Sequence, residues 1–548
     1  MTDRADGHNG QQFDYVVVGG GSAGCVVAGL LSANPQRTVC LIEAGPPDDD
    51  PRIRVPLGLM GLIGNPRFDW CYRSEAHAHL NGRQVSVPRG KTLGGSGSIN
   101  SMVYIRGRPS DYDAWAEQGC DGWHWQAVLD RFRAAENNGR LRDSALHGTA
   151  GPLYVEDLPS PHPMLRKLLA AGAAAGVPAN DDFNGPRQEG LGNYQTTMHR
   201  GRRWSAADAY LRPALGRANL TVLTDTDVER VDVVDGRARA LHVLSLGQRR
   251  RIGVGRELVL CAGAIGSPAL LLRSGVGPAA DLAGHGIEVA LDLPGVGANL
   301  HDHPAVGMHY GGGDDGYALS LATLGQNLAA PFRYLASRRG LFASNTVEGG
   351  GFARTRELLD EPDVQFHFIP ARVGHEGGMV TWGRGYYSDV CLLKPRSRGR
   401  LTLRSPRAGD APAIDLNLLA DDADERALLR GVRLLRKILS HAALSGGGAR
   451  ELVPGDAVGD TDDELRAFVH SRLGTAYHPV GTCRMGAADD ARSVVDPRLR
   501  VIGLANVRVA DASVMPEIVA GNTNAATMMI GAAAAEFVDT DARGAVAA

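Results

Sequence analysis

Two side chains near the carboxyl end have the chemistry to move a proton and to hold an oxygen atom. One is His478 in "TAYHPVGTCRMG" (Thr475–Gly486); the other is Asn522 in "VAGNTNAATMMIGAAAAEFV", which starts at Val519. An imidazole titrates at about 6.5, so a histidine can accept and return a proton near neutral pH. Pro479 cannot continue a helix and biases His478 toward an extended backbone. A lone histidine in such a loop is more often structural than catalytic, and its position alone does not decide. Asn522 and Asn524 precede a run of alanine, methionine and isoleucine. A helix is therefore predicted to begin there, with the asparagines capping its free N–H groups. A helix start carries partial positive charge.

Such chemistry needs a reactant held beside it, and the amino-terminal end supplies a holder. "GGGSAGCVVAGLLS" (Gly19–Ser32) places glycines at 19, 21 and 24 in G-x-G-x-x-G spacing. "FDYVVV" before it reads as a buried strand, the small and apolar residues after Ser22 as a helix, and "RTVCLIEAG" as a second strand ending at Glu43. In that strand–helix–strand setting the spacing marks a dinucleotide cradle. Glu43 follows Gly24 by 19 residues (43 − 24), where a carboxylate bonds the adenosine ribose and repels a 2′-phosphate, disfavouring an NADP-type ligand. A second glycine-rich segment, "PRGKTLGGSGSINSMVYIRG" (Pro88–Gly107), suits a longer ligand with two ends to hold, or else a surface turn.

Further strands are predicted at "NLTVLTDTDVERVDV" (219–233), "GRELVLCAGAIGSPALLLRSGVGP" (255–278) and "NVRVADASVMP", the last stopping at Asp511. All would return to the nucleotide sheet, which makes the fold α/β with a Rossmann-like, discontinuous cofactor domain. The middle of the chain mixes short strands such as "GRLTLRS" (399–405) with an amphipathic helix around 424–438. The expected division is 1–158, 200–305 and 478–548 for the cofactor domain. The remaining 159–199 and 306–477 would form a sheet-plus-helix substrate domain.

At 548 residues the chain is too long for one core, which supports two domains. A net charge of −3 gives no basic surface for nucleic acid. The seven cysteines have no C-x-x-C pair, so they read as buried reduced thiols, neither zinc ligands nor a redox dithiol. The polar start "MTDRADGHNGQQ" lacks the apolar core of a secretory signal, and no uncharged stretch is long enough to span a bilayer. These features point to a cytoplasmic protein, with peripheral contact to a membrane left open.

The chain resembles the glucose–methanol–choline (GMC) flavoprotein oxidoreductases over nearly its whole length. The carriers, in family order, are "DYVVVGGGSAGCVVA", "PRGKTLGGSGSINSMVYIRG", "GAIGSPALLLRSGVGP", "PGVGANLHDHP", "YHPVGTCRMG" and "RVADASVMPEIVAGNTNAATMMIG". Within the family it looks most like choline dehydrogenases and bacterial dehydrogenases of aliphatic primary alcohols. The resemblance implies FAD, with Gly19, Gly21, Ser22, Ala23 and Gly24 on its pyrophosphate, Glu43 on its ribose and the Val228 backbone at its adenine. Leu93, Gly95, Asn100, Ser101, Met102 and Val103 would follow the isoalloxazine, and Asp511 and Ala512 the ribityl or phosphate region. Ala44, Ala262, Tyr477, Asn522 and Thr523 complete the implied set. His478 matches the family's catalytic histidine and Asn522 its second catalytic position. A helix start aimed at the flavin's pyrimidine end would favour the anionic reduced ring. Some members bind FAD covalently through a histidine where this chain has Ile99, which cannot form that bond, so non-covalent FAD is expected.

An alcohol cannot release hydride from carbon while its oxygen keeps its proton. The expected reaction is therefore oxidation of a primary alcohol to the aldehyde by hydride transfer to flavin N5. His478 would serve as base, Asn522 would hold the same oxygen, and a quinone-like acceptor or oxygen would take the electrons. Glu348 in "NTVEGGGF" could pair a cationic choline-type headgroup, or equally be a satisfied loop carboxylate. His367 in "VQFHFIP" could face the cavity or sit in the core. His301 and His303 in "NLHDHP" read as structural rather than metal ligands. A non-redox lyase, a light-driven decarboxylase and a flavin-binding protein without turnover remain as rival readings on the same fold.

Overall fold

A computed structural model describes residues 10–374 and 381–547. The stretch 1–9, read above as carrying no signal, lies outside them. The strand Gln12–Val18 runs straight into the cradle, and Val16 and Val17 are fully buried. A continuous β-branched run of this kind belongs to a strand covered on both faces. It pairs in parallel with Val39–Ile42 on one side and with Gln248–Leu260 on the other. Leu220–Leu223 adds in parallel to the outer edge, and Val507–Val509 pairs in parallel with Gln248–Leu260. The strands Thr226–Val234, Arg237–Ser245 and Gln248–Leu260 form an antiparallel meander that completes this sheet.

Register gathers the site. Val18 stands opposite Ile42 and Leu260, Leu223 opposite Ile42, and Val509 opposite Leu260. Parallel strands that end together deliver their following loops to one edge, where doubly wound sheets hold ligands. Gly19, Glu43, Ala262 and Asp511 all emerge there.

One predicted strand region is corrected. Residues after Leu260 in "CAGAIGSPALLLRSGVGP" form a helix, Gly263–Arg273, with Pro268 inside it. Six of its residues are alanine, isoleucine or leucine, and its packing on the sheet overrides the proline.

The second sheet is antiparallel throughout, in the order Arg450–Val453, Pro304–Gly311, Gly385–Leu392, Val364–Ile369, Gly349–Ala353 and Gly190–Asn193. Gly474–Thr475 pairs with the start of Pro304–Gly311. The helix Asp422–Leu439 covers this sheet, burying Leu428, Val432 and Leu435 along one stripe. The short strand Arg400–Thr402 lies within the stretch read as a strand. Of the seven cysteines, six are buried and Cys71 is exposed; all are free thiols.

Candidate active site

A cavity of about 630 Å³ runs between the edge of the first sheet and the face of the second. At one end lie Glu43, Ala44 and Val228; at the other lie His478, Asn522 and His367. Gly19, Gly21, Ser22, Ala23, Gly95, Asn100, Ser101, Met102, Val103, Ala262, Tyr477, Asp511, Ala512 and Thr523 also line it. Gly24 and Leu93 lie behind the wall. A Cβ on Gly24 would sit 1.8 Å from the Gly19 carbonyl oxygen, and Leu93 fills the space beside Gly20. Both shape the cradle from outside it.

The cradle fits a dinucleotide. Gly19 has φ +97°, and a Cβ there would meet the Cys261 carbonyl at 2.5 Å. The helix Ser22–Leu31 starts at the cavity with no side-chain cap and no acidic residue in its first turn, so its N–H groups are available to an anion. Gly95 (φ +56°) approaches so closely that its Cβ would lie 2.7 Å from the Gly21 Cα, bringing the second glycine loop against the first. Glu43 accepts the Gly20 N–H on one carboxylate oxygen (2.8 Å) and the Gly45 N–H on the other (2.9 Å). Each oxygen keeps a lone pair for a ribose hydroxyl. Burial pushes this carboxyl up to about 7, against the pull of those two donors. Asp511 braces the opposite wall by accepting from the Gly263 N–H, the Ser267 hydroxyl and the Ser513 N–H.

At the far end the loops around residues 299–304 and 475–481 lie side by side, bridged between His301 and Val480. Asp302 pins them together, its Oδ1 accepting the His303 N–H at 2.7 Å and the His478 N–H at 2.8 Å. Burial pushes the Asp302 carboxyl up to about 7. The His478 Nε2 lies 3.3 Å from the Asn522 Nδ2, and its Nδ1 lies 3.1 Å from the Nδ1 of His303.

One assignment of protons satisfies this cluster. Gln365 donates to the Asn522 Oδ1 (3.1 Å), so the NH₂ of Asn522 turns to His478. The His303 Nε2 lies 3.1 Å from the Val519 carbonyl and must donate to it. The His303 Nδ1 is then an acceptor, and the His478 Nδ1 must donate to it. The His478 Nε2 therefore carries the lone pair, which faces the Asn522 NH₂ in the cavity wall. Burial, then the neighbouring His303, His367 and Arg89, holds His478 well below the ordinary imidazole range, so it is neutral near pH 7. His303 is pushed down to about 3, mainly by burial.

His303, read from the sequence as structural, thus touches the candidate base. The only signal was its place in "NLHDHP", which spacing alone could not connect to residue 478. His301 is a framework residue: its Nδ1 donates to the Asn299 carbonyl and its Nε2 accepts the Ile518 N–H.

Two further expectations are corrected. Glu348 is fully buried and does not line the cavity; it accepts from the His162 N–H, the Tyr317 hydroxyl and the Ser344 hydroxyl. Its neighbours Thr346 and Val347 face the cavity instead. The helix begins at Asn524, but the asparagine carboxamides are engaged elsewhere. Asn522 binds Gln365 and His478, and Asn524 accepts the Ser22 hydroxyl at 2.7 Å. His367 does line the cavity, with Nδ1 held by Asp389 at 2.8 Å. The two stand directly opposite each other on adjacent strands, a pairing that no local pattern around Asp389 signals.

Residues 13–305 match the amino-terminal part of the GMC oxidoreductases, and residues 395–531 the carboxy-terminal part. The chain is 43% identical to an alcohol dehydrogenase [acceptor] of Pseudomonas putida, covering 96% of this chain and 95% of that one. It is 40% identical to the mitochondrial choline dehydrogenase of Homo sapiens, covering 96% and 90%. The crystal structure of pyridoxine 4-oxidase from Mesorbium loti superposes with a TM-score of 0.85 at 34% identity, covering 96% and 98%. With family matches over both halves and relatives aligned across nearly the full length, the chain belongs to the GMC oxidoreductases.

Proposed function

We propose that this FAD-dependent oxidoreductase of CH–OH donors oxidises a primary alcohol to the aldehyde, with His478 as the base and Asn522 holding the substrate oxygen. The chain acts on alcohols or choline-type substrates, and the finer reading rests on the far end of the cavity. Bound FAD supplies the hydride acceptor, its N5. The His478 Nε2 takes the hydroxyl proton as hydride leaves carbon, and its Nδ1–H stays on His303. The Asn522 Nδ2–H, only loosely held at 3.3 Å, turns to the oxygen whose charge rises in the transition state. Glu43 and the two glycine loops hold the cofactor non-covalently. Ile99 lines the cavity and offers no nucleophile for a bond to the ring. The electrons leave for a quinone-like acceptor or oxygen.

The observation carrying this reading is the lone pair on the His478 Nε2, fixed by partners on its other side and met in the cavity wall by a loosely held carboxamide donor. In His478→Ala, anaerobic reduction of the flavin by alcohol should fall about 10²- to 10⁴-fold, while the visible flavin spectrum shows FAD still bound. Unchanged reduction kinetics would remove His478 from the reaction.

A second reading, a choline-type substrate, is favoured by the Asp389 carboxylate in the cavity wall and no longer by Glu348. An anaerobic panel of aliphatic, aromatic, polyol and choline-type alcohols separates the two. Admitting oxygen afterwards assigns the acceptor class.

A further inference from the structure

One helix of this protein wears its apolar face outward. Leu324–Ser337 has Leu324, Leu328, Phe332 and Leu335 exposed at 52%, 65%, 73% and 67%, and Tyr334 is its one buried residue. At about 100° per residue these four fall within one 80° arc, a stripe rather than scattered exposure. Leu321, just before the helix, is 80% exposed. A second segment extends the patch: Gly383 donates to the Leu319 carbonyl, bringing exposed Trp382 beside exposed Leu319. Such a patch on a folded surface marks an interaction site.

Charge decides what the face suits. Between residues 316 and 347 there are three arginines (Arg333, Arg338, Arg339) and no aspartate or glutamate. This net +3 stands in a chain whose overall charge is −3. Arg333 and Arg339 are exposed at the carboxyl end of the stripe. An outward apolar stripe with tryptophan at its margin and arginine beside it is the pattern of a helix lying in a membrane interface. The patch also reaches the cavity. Arg372 donates to the Trp382 carbonyl, and Val373 and Gly374 next to it line the cavity wall. The turn Leu341–Ala343 after the helix packs on Pro56–Gly61, whose Leu59 and Met60 line the same cavity, as does exposed Ile63 just beyond them.

We infer that the helix Leu324–Ser337, with Leu319, Leu321 and Trp382, docks this protein on an anionic lipid bilayer with the cavity mouth beside the membrane. Apolar residues enter the boundary between headgroups and chains, and the arginines meet lipid phosphates. Lipophilic alcohols and quinone-like acceptors would then reach the cavity from the phase in which they dissolve. The docking does not depend on the catalytic reading, because it is measured without turnover.

The full-length FAD-loaded protein is sedimented with vesicles of phosphatidylcholine containing about 30% phosphatidylglycerol, and with pure phosphatidylcholine. Binding to the anionic vesicles is expected, weakened as ionic strength rises. Leu328→Glu/Phe332→Glu should lower the partition coefficient at least tenfold, and Arg333→Glu/Arg339→Glu should erase the preference for phosphatidylglycerol. Flavin content and reduction by alcohol in solution should stay unchanged in both. Three outcomes would overturn the inference. These are no sedimentation with either vesicle, binding indifferent to Leu328→Glu/Phe332→Glu, and a dimer in solution that this variant splits while vesicle binding is absent. The last would make a second copy of the chain the occupant of the face.

Discussion

The protonation of one imidazole is set two residues away, at the Val519 carbonyl that fixes the ring of His303. If His303 orients His478 by accepting its Nδ1–H, then the acceptor matters more than the ring. His303→Leu removes that acceptor and should slow flavin reduction roughly 10- to 100-fold, by analogy with the loss of the hydrogen-bond partner of a metal-bound histidine. His303→Asn places a carbonyl oxygen near the lost Nδ1 and should recover much of the rate. Equal rates in the two variants would assign His303 to packing alone. The same cluster sets a pH dependence. His478 must be neutral to act, and its pKa is lowered, so the active form persists until pH falls through that lowered value. The rate of reduction by alcohol, read by stopped flow after a pH jump, should stay level through pH 6.5 and fall only well below it. A limb centred near the ordinary imidazole value of about 6.5 would contradict the assignment. The types and order of these residues were legible in the sequence. Their mutual contacts were not, because Asp302, His303, Gln365 and Val519 reach the site from separate loops and strands.

Among the elements, the turn from Gln12–Val18 into Ser22–Leu31 was the most legible, because every local preference there agrees. β-branched residues give the strand, glycines the turn, and small residues the helix. The small residues serve packing as well as the cofactor: a Cβ on Gly531 would lie 2.8 Å from the Ala23 carbonyl, so the helix Asn524–Ala547 closes directly onto the first helix. Gly24→Ala should therefore break the cradle rather than tune it. Its methyl would overlap the Gly19 oxygen, a clash that only separation of strand and helix relieves. We expect FAD content near zero and a stability loss of roughly 3 kcal/mol or more, measured by flavin absorbance and urea unfolding. Gly284→Ala, at a helix end with nothing within 4 Å of the added methyl, should be neutral or slightly stabilising. Comparable losses in both would mean that Gly24 has no special role. Gly263–Arg273 was misread because Pro268 and the flanking glycines mimic strand punctuation. Its helical state depends on the sheet beneath it, which a local window does not contain.

At the scale of the molecule, a cavity is lined both by residues that follow strands of the first sheet, such as Gly19 and Glu43, and by residues of the second, such as His367 and Asp389. The sequence carried the class of the fold in its parallel-strand runs. It could not carry which face of the second sheet turns inward, because period-two patterns on Val364–Ile369 and Gly385–Leu392 allow either side. Glu348 shows the cost: it sits in a cavity-facing loop, but its side chain points back to Tyr317 and Ser344. A cofactor held without a covalent bond stabilises only the folded chain, by RT ln(1 + [L]/Kd), about 4 kcal/mol at a thousandfold excess over Kd. The melting temperature of this protein should therefore climb with the logarithm of added free FAD and drop when FAD is stripped. Acid precipitation should leave all of the flavin in the supernatant. A bond through any residue of the wall would give the opposite pair of results, a melting temperature indifferent to added FAD and yellow colour retained in the pellet. If, as proposed, Glu43 and the two glycine loops hold the nucleotide end and no bond forms at Ile99, affinity has to come from many weak contacts along the cavity. Disturbing either end should then release the whole ligand, so Glu43→Ala, far from the reacting end, should shift the same melting curve toward that of the stripped protein.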